Sequence, residues 1–317
     1  MALWRSDIGA EIEPHRILIK RGKLVDDSRN GRVIPFKLYH PVEHDWDKLP
    51  VIIWSHGLGG SVDGAGYLAR FIASHGYIVI NIQHHGTDTS LWEGKPGHPW
   101  DIIRATPIPR IDIIKRFQDV DFVVSQLQTA TFDFPDVLPF MDVKALGMSG
   151  HSFGALTTQV MAGQKFPDHN GTPVSLRNKK FKCGILYSPT PIHTMTKAAD
   201  KDIYGGLSIP LLYLTGTKDS SPVEGFDYIE RLRVFNNSGA PDQYLAIFKD
   251  GDHMVFSGSR GQLEENPHRD VHESMIKIMS LAFWEAHLRG DKAAKAWLTN
   301  GGLADFAGES ADTRYKP

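Results

Sequence analysis

Residues 150–154 read Gly150-His151-Ser152-Phe153-Gly154. The string stands between an apolar, strand-like run at 144–148 and a helix-like segment at 153–163 that ends in glycine. A strand that turns this sharply into a helix thrusts one side chain out over the sheet edge, and here that side chain is a serine hydroxyl. Glycines on both sides remove side chains that would collide with the neighbouring strand and helix. The helix that follows aims its free N–H groups at the same spot, which favours negative charge there. The chemistry such an arrangement serves is nucleophilic attack by Ser152.

A serine is inert without a base, and the base needs an acid to orient it. With a nucleophile in this kind of turn, the expected chain order is Ser, acid, His. Downstream, the strand-like run 210–215 leads into Asp219, and the run 243–248 leads into His253. Both residues stand at strand C-ends, and each spacing fits about one strand–helix unit. Of the 15 histidines, only His253 follows the last of these strands. Asp250 and Asp252 are rival acids, but they lie too close in sequence to His253 to sit across from it easily. The expected catalytic set is therefore Ser152 as nucleophile, His253 as general base and Asp219 as the orienting acid. The developing oxyanion needs backbone donors. The run 51–54 ends in Ser55-His56-Gly57-Leu58-Gly59-Gly60, whose glycines let the backbone approach a substrate. One donor from this loop and one from the residue after the nucleophile nominate Leu58 and Phe153, with the choice among residues 57–60 left open.

These residues need a sheet to bring them together. Runs at 16–20 and 33–39 read as an opening antiparallel pair around a turn at 26–31. Strand-like runs follow at 51–54, 77–82, 144–148, 183–187, 210–215 and 243–248, with helix-like segments at 66–74, 111–127, 153–163, 224–235 and 269–288. The segment 111–127 has apolar residues at 113, 114, 117, 120, 123, 124 and 127, a helical period. Strand alternating with helix predicts an α/β fold with a mostly parallel, eight-stranded sheet and helices on both faces. One domain spans 1–317, with a core at about 33–290 and a C-terminal extension at 291–317. Two stretches break the rhythm, 84–109 and 189–208. Both follow strands, where an open parallel sheet carries its ligand site. Substrate contacts are accordingly expected from His84, His85, Trp92 and Trp100, with Met254 beside the base. The segment 188–209 is too short to hold a large cap domain.

Together these features resemble the α/β-hydrolase superfamily over about residues 33–288. More narrowly, Ser55-His56-Gly57-Leu58-Gly59, Leu68-Ala69 and Ala73-Ser74-His75-Gly76-Tyr77 look like platelet-activating-factor acetylhydrolases and the bacterial proteins labelled predicted dienelactone hydrolases. Gly150-His151-Ser152-Phe153-Gly154 and Phe181-Lys182-Cys183-Gly184-Ile185 continue the likeness. The resemblance implies an α/β-hydrolase fold and a serine esterase. Two departures matter. The acetylhydrolases carry their acid just after the strand that matches 184–187, and here that position is Ser188, so the resemblance to most α/β-hydrolases and cutinase-type esterases points to Asp219 instead. True dienelactone hydrolases use a cysteine nucleophile, whereas this chain has Ser152.

Composition excludes other classes. There are 35 basic and 37 acidic residues, a net charge of −2, which argues against a nucleic-acid partner. Hydrophobic residues make up 41% and charged residues 23%, as in an ordinary globular chain. Cys183 is the sole cysteine, so no intrachain disulfide or cysteine-held metal cluster forms. No membrane span and no basic–apolar leader stand in the sequence, and the reading is a cytoplasmic protein, or a secreted one if a leader has been removed. The string Gly64-Ala65-Gly66-Tyr67-Leu68-Ala69 mimics a dinucleotide loop but does not follow a strand directly. His84-His85 and the pair His268, His272 lack the further ligands a catalytic metal needs. The expected function is a cofactor-free hydrolase of carboxylic esters acting on short-chain or exposed small-molecule or polymer esters. Amidase or thioesterase chemistry with the same triad is the alternative. A non-enzymatic binding module is disfavoured because all three triad residues stand. The oligomeric state is left open.

Overall fold

The computed structural model describes residues 2–132, 134–258 and 266–317. In chain order the strands and helices are β1 (Ile17–Asp26), β2 (Arg32–Pro41), β3 (Leu49–Ser55), α1 (Gly66–Ser74), β4 (Ile78–Ile82), α2 (Pro99–Ala105), α3 (Arg110–Gln128), β5 (Met141–His151), α4 (Phe153–Ala162), β6 (Lys165–Pro167) and β7 (Pro173–Ser175). They continue as β8 (Phe181–Tyr187), α5 (Asp200–Tyr204), β9 (Leu211–Lys218), α6 (Tyr228–Asn237), β10 (Gln243–Asp252), α7 (Arg269–Trp284), α8 (Lys292–Thr299), α9 (Gly302–Ala307) and β11 (Ala311–Lys316).

Every residue of β3 and β4 is buried, as expected of strands covered on both faces. Side chains alternate along them. Val51 and Ile53 point to one face with Val120 of α3, Leu156 of α4 and Phe235 of α6. Ile52 and Trp54 point to the other with Phe71 of α1 and Met279 of α7. Each such side chain contributes roughly 1.5–3 kcal/mol by leaving water, which makes the sheet a rigid platform for the loops at its edge.

The strands run in the order β1-β2-β4-β3-β5-β8-β9-β10-β11. Those from β4 to β10 are parallel, and β1, β2 and β11 are antiparallel edges. The chain leaves β3 for β4 on one side and later returns to β5 on the other. Ligands bind at such a reversal, outside the strand C-ends, and there the Ser55–Gly60 loop meets Ser152. This is the α/β-hydrolase fold, with a mostly parallel sheet between helical layers.

The expected eight-stranded sheet has nine strands among the described residues, with β6 and β7 forming a separate pair. The extra one is β11, which pairs antiparallel with β10, Ala311 opposite Phe248 and Lys316 opposite Gln243. Residues 291–317 are thus no mere extension. Polar residues Asp312, Thr313 and Arg314 hid the strand, because an edge strand needs few buried side chains and β11 buries one. The helix expected at 224–235 begins only at Tyr228, where the Asp227 carboxylate accepts from Ile229 N–H at 2.9 Å. Residues 221–226 are consequently free to form a loop over the sheet edge. The expected helix 269–288 is α-helical to Trp284, then widens into a π turn at Glu285–Arg289 that Gly290 ends with φ 71°.

Candidate active site

Ser152 joins β5 to α4 with φ 56° and ψ −116°, a conformation that costs about 1–3 kcal/mol and persists only where its surroundings enforce it. They do so here. Ser152 N–H donates to Tyr187 O at 2.8 Å, and its carbonyl accepts from Thr190 Oγ1 at 2.8 Å. The flanking glycines are obligatory. A Cβ at Gly150 would stand 2.7 Å from Ser55 O, and one at Gly154 would overlap that same oxygen. The strained turn presents the partly exposed serine at the N-terminus of α4.

Asp219 follows β9 and is fully buried, and His253 follows β10 at 4% exposure. His253 Nδ1 donates to Asp219 Oδ1 at 2.6 Å, and Thr215 Oγ1 donates to Oδ2 at 2.7 Å. Arg231, on α6 and 1% exposed, closes the cluster. Its Nε lies 3.1 Å from Asp219 Oδ1 and donates to the Asp219 carbonyl at 2.8 Å, while Nη2 lies 3.1 Å from His253 Nδ1. Burial alone would raise the Asp219 carboxyl, but the charge of Arg231, with the contacts from His253 and Thr215, brings it below its ordinary value. Burial lowers the His253 imidazole, Asp219 offsets this in part, and Arg231 adds to the lowering. His253 is therefore neutral at neutral pH, as a base must be. With Nδ1 committed, Nε2 is the nitrogen left to accept a proton. Ser152 and His253 line the same cleft. Ser152 Oγ and His253 Nε2 make no hydrogen bond to each other, a gap that resting triads commonly close on substrate binding.

His151, beside Ser152, donates from Nε2 to the carbonyl of His253 at 2.8 Å and packs its ring 4.5 Å from the His253 ring. Burial, followed by the proximity of His253, holds it neutral. It ties the His253 backbone to the turn at Ser152.

In the loop after β3, two of the four candidate N–H groups are spent. Gly59 donates to Thr87 O at 2.9 Å and Gly60 to Gly57 O at 3.1 Å. That leaves Gly57 and Leu58, both of which line the cleft with Phe153. The loop lies against the nucleophile: a Cβ added at Gly57 would stand 3.2 Å from His151 Nδ1 and 3.6 Å from Ser152 Cβ. From the solvent side, Trp92 Nε1 donates to Gly59 O at 2.8 Å.

The cleft has a volume of about 670 Å³. Trp92, Trp100 and Met254 line it, together with Ile103 and Arg104 of α2 and Pro222, Val223 and Phe226 of the loop after Asp219. His84 and His85 do not. His84 is fully buried behind the loop, with Nε2 2.9 Å from Ser55 Oγ and Nδ1 3.1 Å from Asp119 Oδ2. His85 points outward with 71% of its side chain exposed. The buried carboxylate of Asp119, which the sequence reading did not take into account, holds His84, so neither histidine is brought to the cleft where a substrate contact was expected.

A family model described as platelet-activating factor acetylhydrolase, isoform II, matches residues 24–92, which run from the end of β1 through the Leu58 loop to Trp92. The platelet-activating factor acetylhydrolase of Canis lupus familiaris is 23% identical over 304 residues, 79% of this chain and 60% of the relative. That of Cavia porcellus is 21% identical over 306 residues, 87% of this chain and 66% of the relative. This chain is similar to the platelet-activating factor acetylhydrolases. It spans less than two thirds of the length of either relative.

Against the acetylhydrolase pattern, Ser188 occupies the position after β8. It is fully buried, adopts φ 57°, and its Oγ has no hydrogen-bond partner among the described residues. Its carbonyl accepts from Arg231 Nη1 at 3.4 Å. The rival acids are committed elsewhere. Asp252 accepts from the N–H groups of Met254 and Val255 at 2.7 and 3.1 Å, and Asp250 faces Lys218 at 3.3 Å. Among the described residues, no three His, Cys, Asp or Glu side chains converge as metal ligands would. No helix among them is long and apolar enough to cross a membrane. Sequence reasoning missed Arg231, Thr190 and the Pro222–Phe226 wall. Arg231 had a signal, since it falls four residues before Phe235 and shares the buried side of α6.

Proposed function

We propose that this chain is a serine hydrolase that cleaves carboxylic esters through an acyl-enzyme. The observation that carries the reading is the 2.6 Å bond from His253 to buried Asp219 on the cleft that Ser152 lines. Ser152 Oγ attacks the ester carbonyl carbon while His253 Nε2 takes its proton. The N–H groups of Leu58 and Phe153 hold the resulting oxyanion, each lowering the barrier by about 3 kcal/mol. The imidazolium protonates the leaving alkoxide as the C–O bond breaks, leaving Ser152 acylated. Water then attacks the acyl group, His253 takes its proton, and return of that proton to Oγ releases the acid. Asp219 stays ionised and orients the ring.

The substrates are short-chain or exposed esters, polyester chain ends among them. Support comes from the short 188–209 segment, which holds only the five-residue α5, and from the relatives' name, which specifies an acetyl group. A fluorophosphonate probe should label the native protein and not Ser152→Ala. An acyl-chain series of chromogenic esters, with amide and thioester counterparts, should give highest kcat/KM for short acyl esters. Absence of labelling sinks the hydrolase reading. A preference for long acyl chains with activation at an oil–water interface sinks the substrate class.

A further inference from the structure

Behind the Leu58 loop lies a buried cation that the ester chemistry never touches. Arg116, on α3, is fully buried. Its Nε donates to Thr157 Oγ1 at 2.7 Å, Nη1 to Thr87 Oγ1 at 2.9 Å, and Nη2 to Ser55 Oγ at 2.9 Å and to the His56 carbonyl. The guanidinium stands 4.9 Å from the centre of the Phe153 ring. Every one of these partners is neutral. Asp119, one turn along the same helix, is engaged by Arg29, Arg32 and His84. Among the described residues no carboxylate forms an ion pair with Arg116. Burial lowers it to about 9, offset in part by the more distant charges of Asp119 and Asp88, which still leaves it charged at neutral pH.

A buried, unpaired charge is costly to keep, so where its hydrogen bonds lead matters. The His56 carbonyl that Arg116 engages belongs to the peptide whose other end is Gly57 N–H. The next peptide, ending in Leu58 N–H, has its carbonyl held from the same side. His56 Nδ1 donates to Gly57 O at 2.6 Å, His56 Nε2 accepts from His84 N–H at 3.0 Å, and His84 Nε2 meets Ser55 Oγ at 2.9 Å. That serine hydroxyl is again an Arg116 partner. A peptide whose carbonyl accepts a charge-assisted hydrogen bond becomes a stronger donor at its N–H. Both N–H groups left free in the loop thus sit on peptides linked to one cation. Phe153, whose N–H is the remaining donor, covers that cation with its ring.

We propose that Arg116 is the positioning residue of the oxyanion hole. Its charge fixes the Ser55–Leu58 backbone and polarises the peptides that face the substrate oxygen. The proposal rests on the serine-hydrolase reading, and its signature is loss of transition-state binding without loss of substrate binding. Arg116→Met and Arg116→Gln should be compared with wild type in kcat per fluorophosphonate-titrated site, in KM, and in Ki for a trifluoromethyl ketone that forms a tetrahedral adduct. We expect kcat per site to fall about 10²-fold, near the lower end for loss of one oxyanion donor. KM should stay within about threefold, and Ki should rise in step with the fall in kcat. Arg116→Lys should recover part of both. Glutamine keeps donors at the site without the charge, so it carries the test if the methionine variant does not fold. Near-native kcat per site in Arg116→Gln, whatever its thermal stability, overturns the proposal. A wild-type protein that neither labels nor turns over esters overturns the hydrolase reading instead.

Discussion

Two buried arginines flank Ser152, and they are balanced differently. Arg231 sits behind the acid with Asp219 3.1 Å away, an ion pair closed off from water. Arg116 sits behind the Leu58 loop, hydrogen-bonded only to hydroxyls and a carbonyl and set against a ring, with Asp119 and Asp88 acting on it at longer range and no direct ion pair among the described residues. Under the proposed mechanism, the difference follows what each side must do. On the triad side charge must be conserved: a carboxylate stays ionised and an imidazole must return to neutrality after each proton transfer. On the oxyanion side negative charge appears only in the transition state, and an unpaired cation beneath the loop is matched to that moment. Removing the carboxylate on the first side should therefore outweigh removing the cation on the second.

The largest effect is expected from Asp219→Asn. The fold should survive, because Thr215 and Arg231 can still bond an amide oxygen, but kcat should fall about 10⁴-fold as His253 loses the acceptor that sets its tautomer. Asp250→Asn, at an exposed ion pair, should leave kcat nearly untouched. Asp252→Asn should lower thermal stability, since it weakens a cap on the turn after His253, while sparing most of kcat. Steady-state kinetics and melting curves on the three variants decide the matter. A near-native Asp219→Asn beside an inactive Asp250→Asn or Asp252→Asn would reassign the acid.

Arg231→Gln comes next. The groups facing His253 are Asp219, Arg231, the more distant Glu224, and the neutral ring of His151. Activity needs neutral His253, so it is lost as pH falls through a pKa that lies below 6.5. Taking away Arg231 removes a cation from beside the imidazole and leaves Asp219 to favour protonation. The acid limb of kcat/KM should then move to higher pH. Breaking the buried pair should also destabilise the fold by about 3–5 kcal/mol. An unmoved limb would mean that burial and Asp219 alone set the base, and the contrast with Arg116 would lose one side.

How much of this was legible follows from what sequence encodes locally. Strand, turn and glycine around Ser152 are consecutive, so the elbow could be read directly, and Asp219 and His253 followed from strand ends. The fold class was legible for the same reason, because parallel strands buried on both faces read as apolar runs. The edge strand β11 was not, since its polar residues resemble a tail. Arg116 and Asp119 were written into the sequence as polar residues on the apolar side of α3, three positions after Ile113 and four before Val123. A period read from apolar residues alone passes over them. His84 was misplaced because a histidine after a strand looks the same whether it faces a cleft or a buried aspartate twice removed in the chain. Nothing local distinguishes the two.

The smallest effect tests the loop from its outer side. Trp92 holds Gly59 O by one 2.8 Å hydrogen bond at the solvent face, whereas Arg116 reaches the loop from within. Trp92→Phe keeps the apolar wall of the cleft and deletes that bond, a change of about 0.5–1.5 kcal/mol for a typical hydrogen bond. If the inner network fixes the Ser55–Leu58 backbone, the loop should hold its shape, and kcat should drop no more than about threefold with the ketone Ki scarcely changed. Part of the bond's loss would appear as a small decrease in melting temperature. A kcat loss as large as that of Arg116→Gln would place control of the loop at its outer face. Gly59 N–H would then be the anchor that matters through its bond to Thr87 O, and the buried cation would be a support for α3.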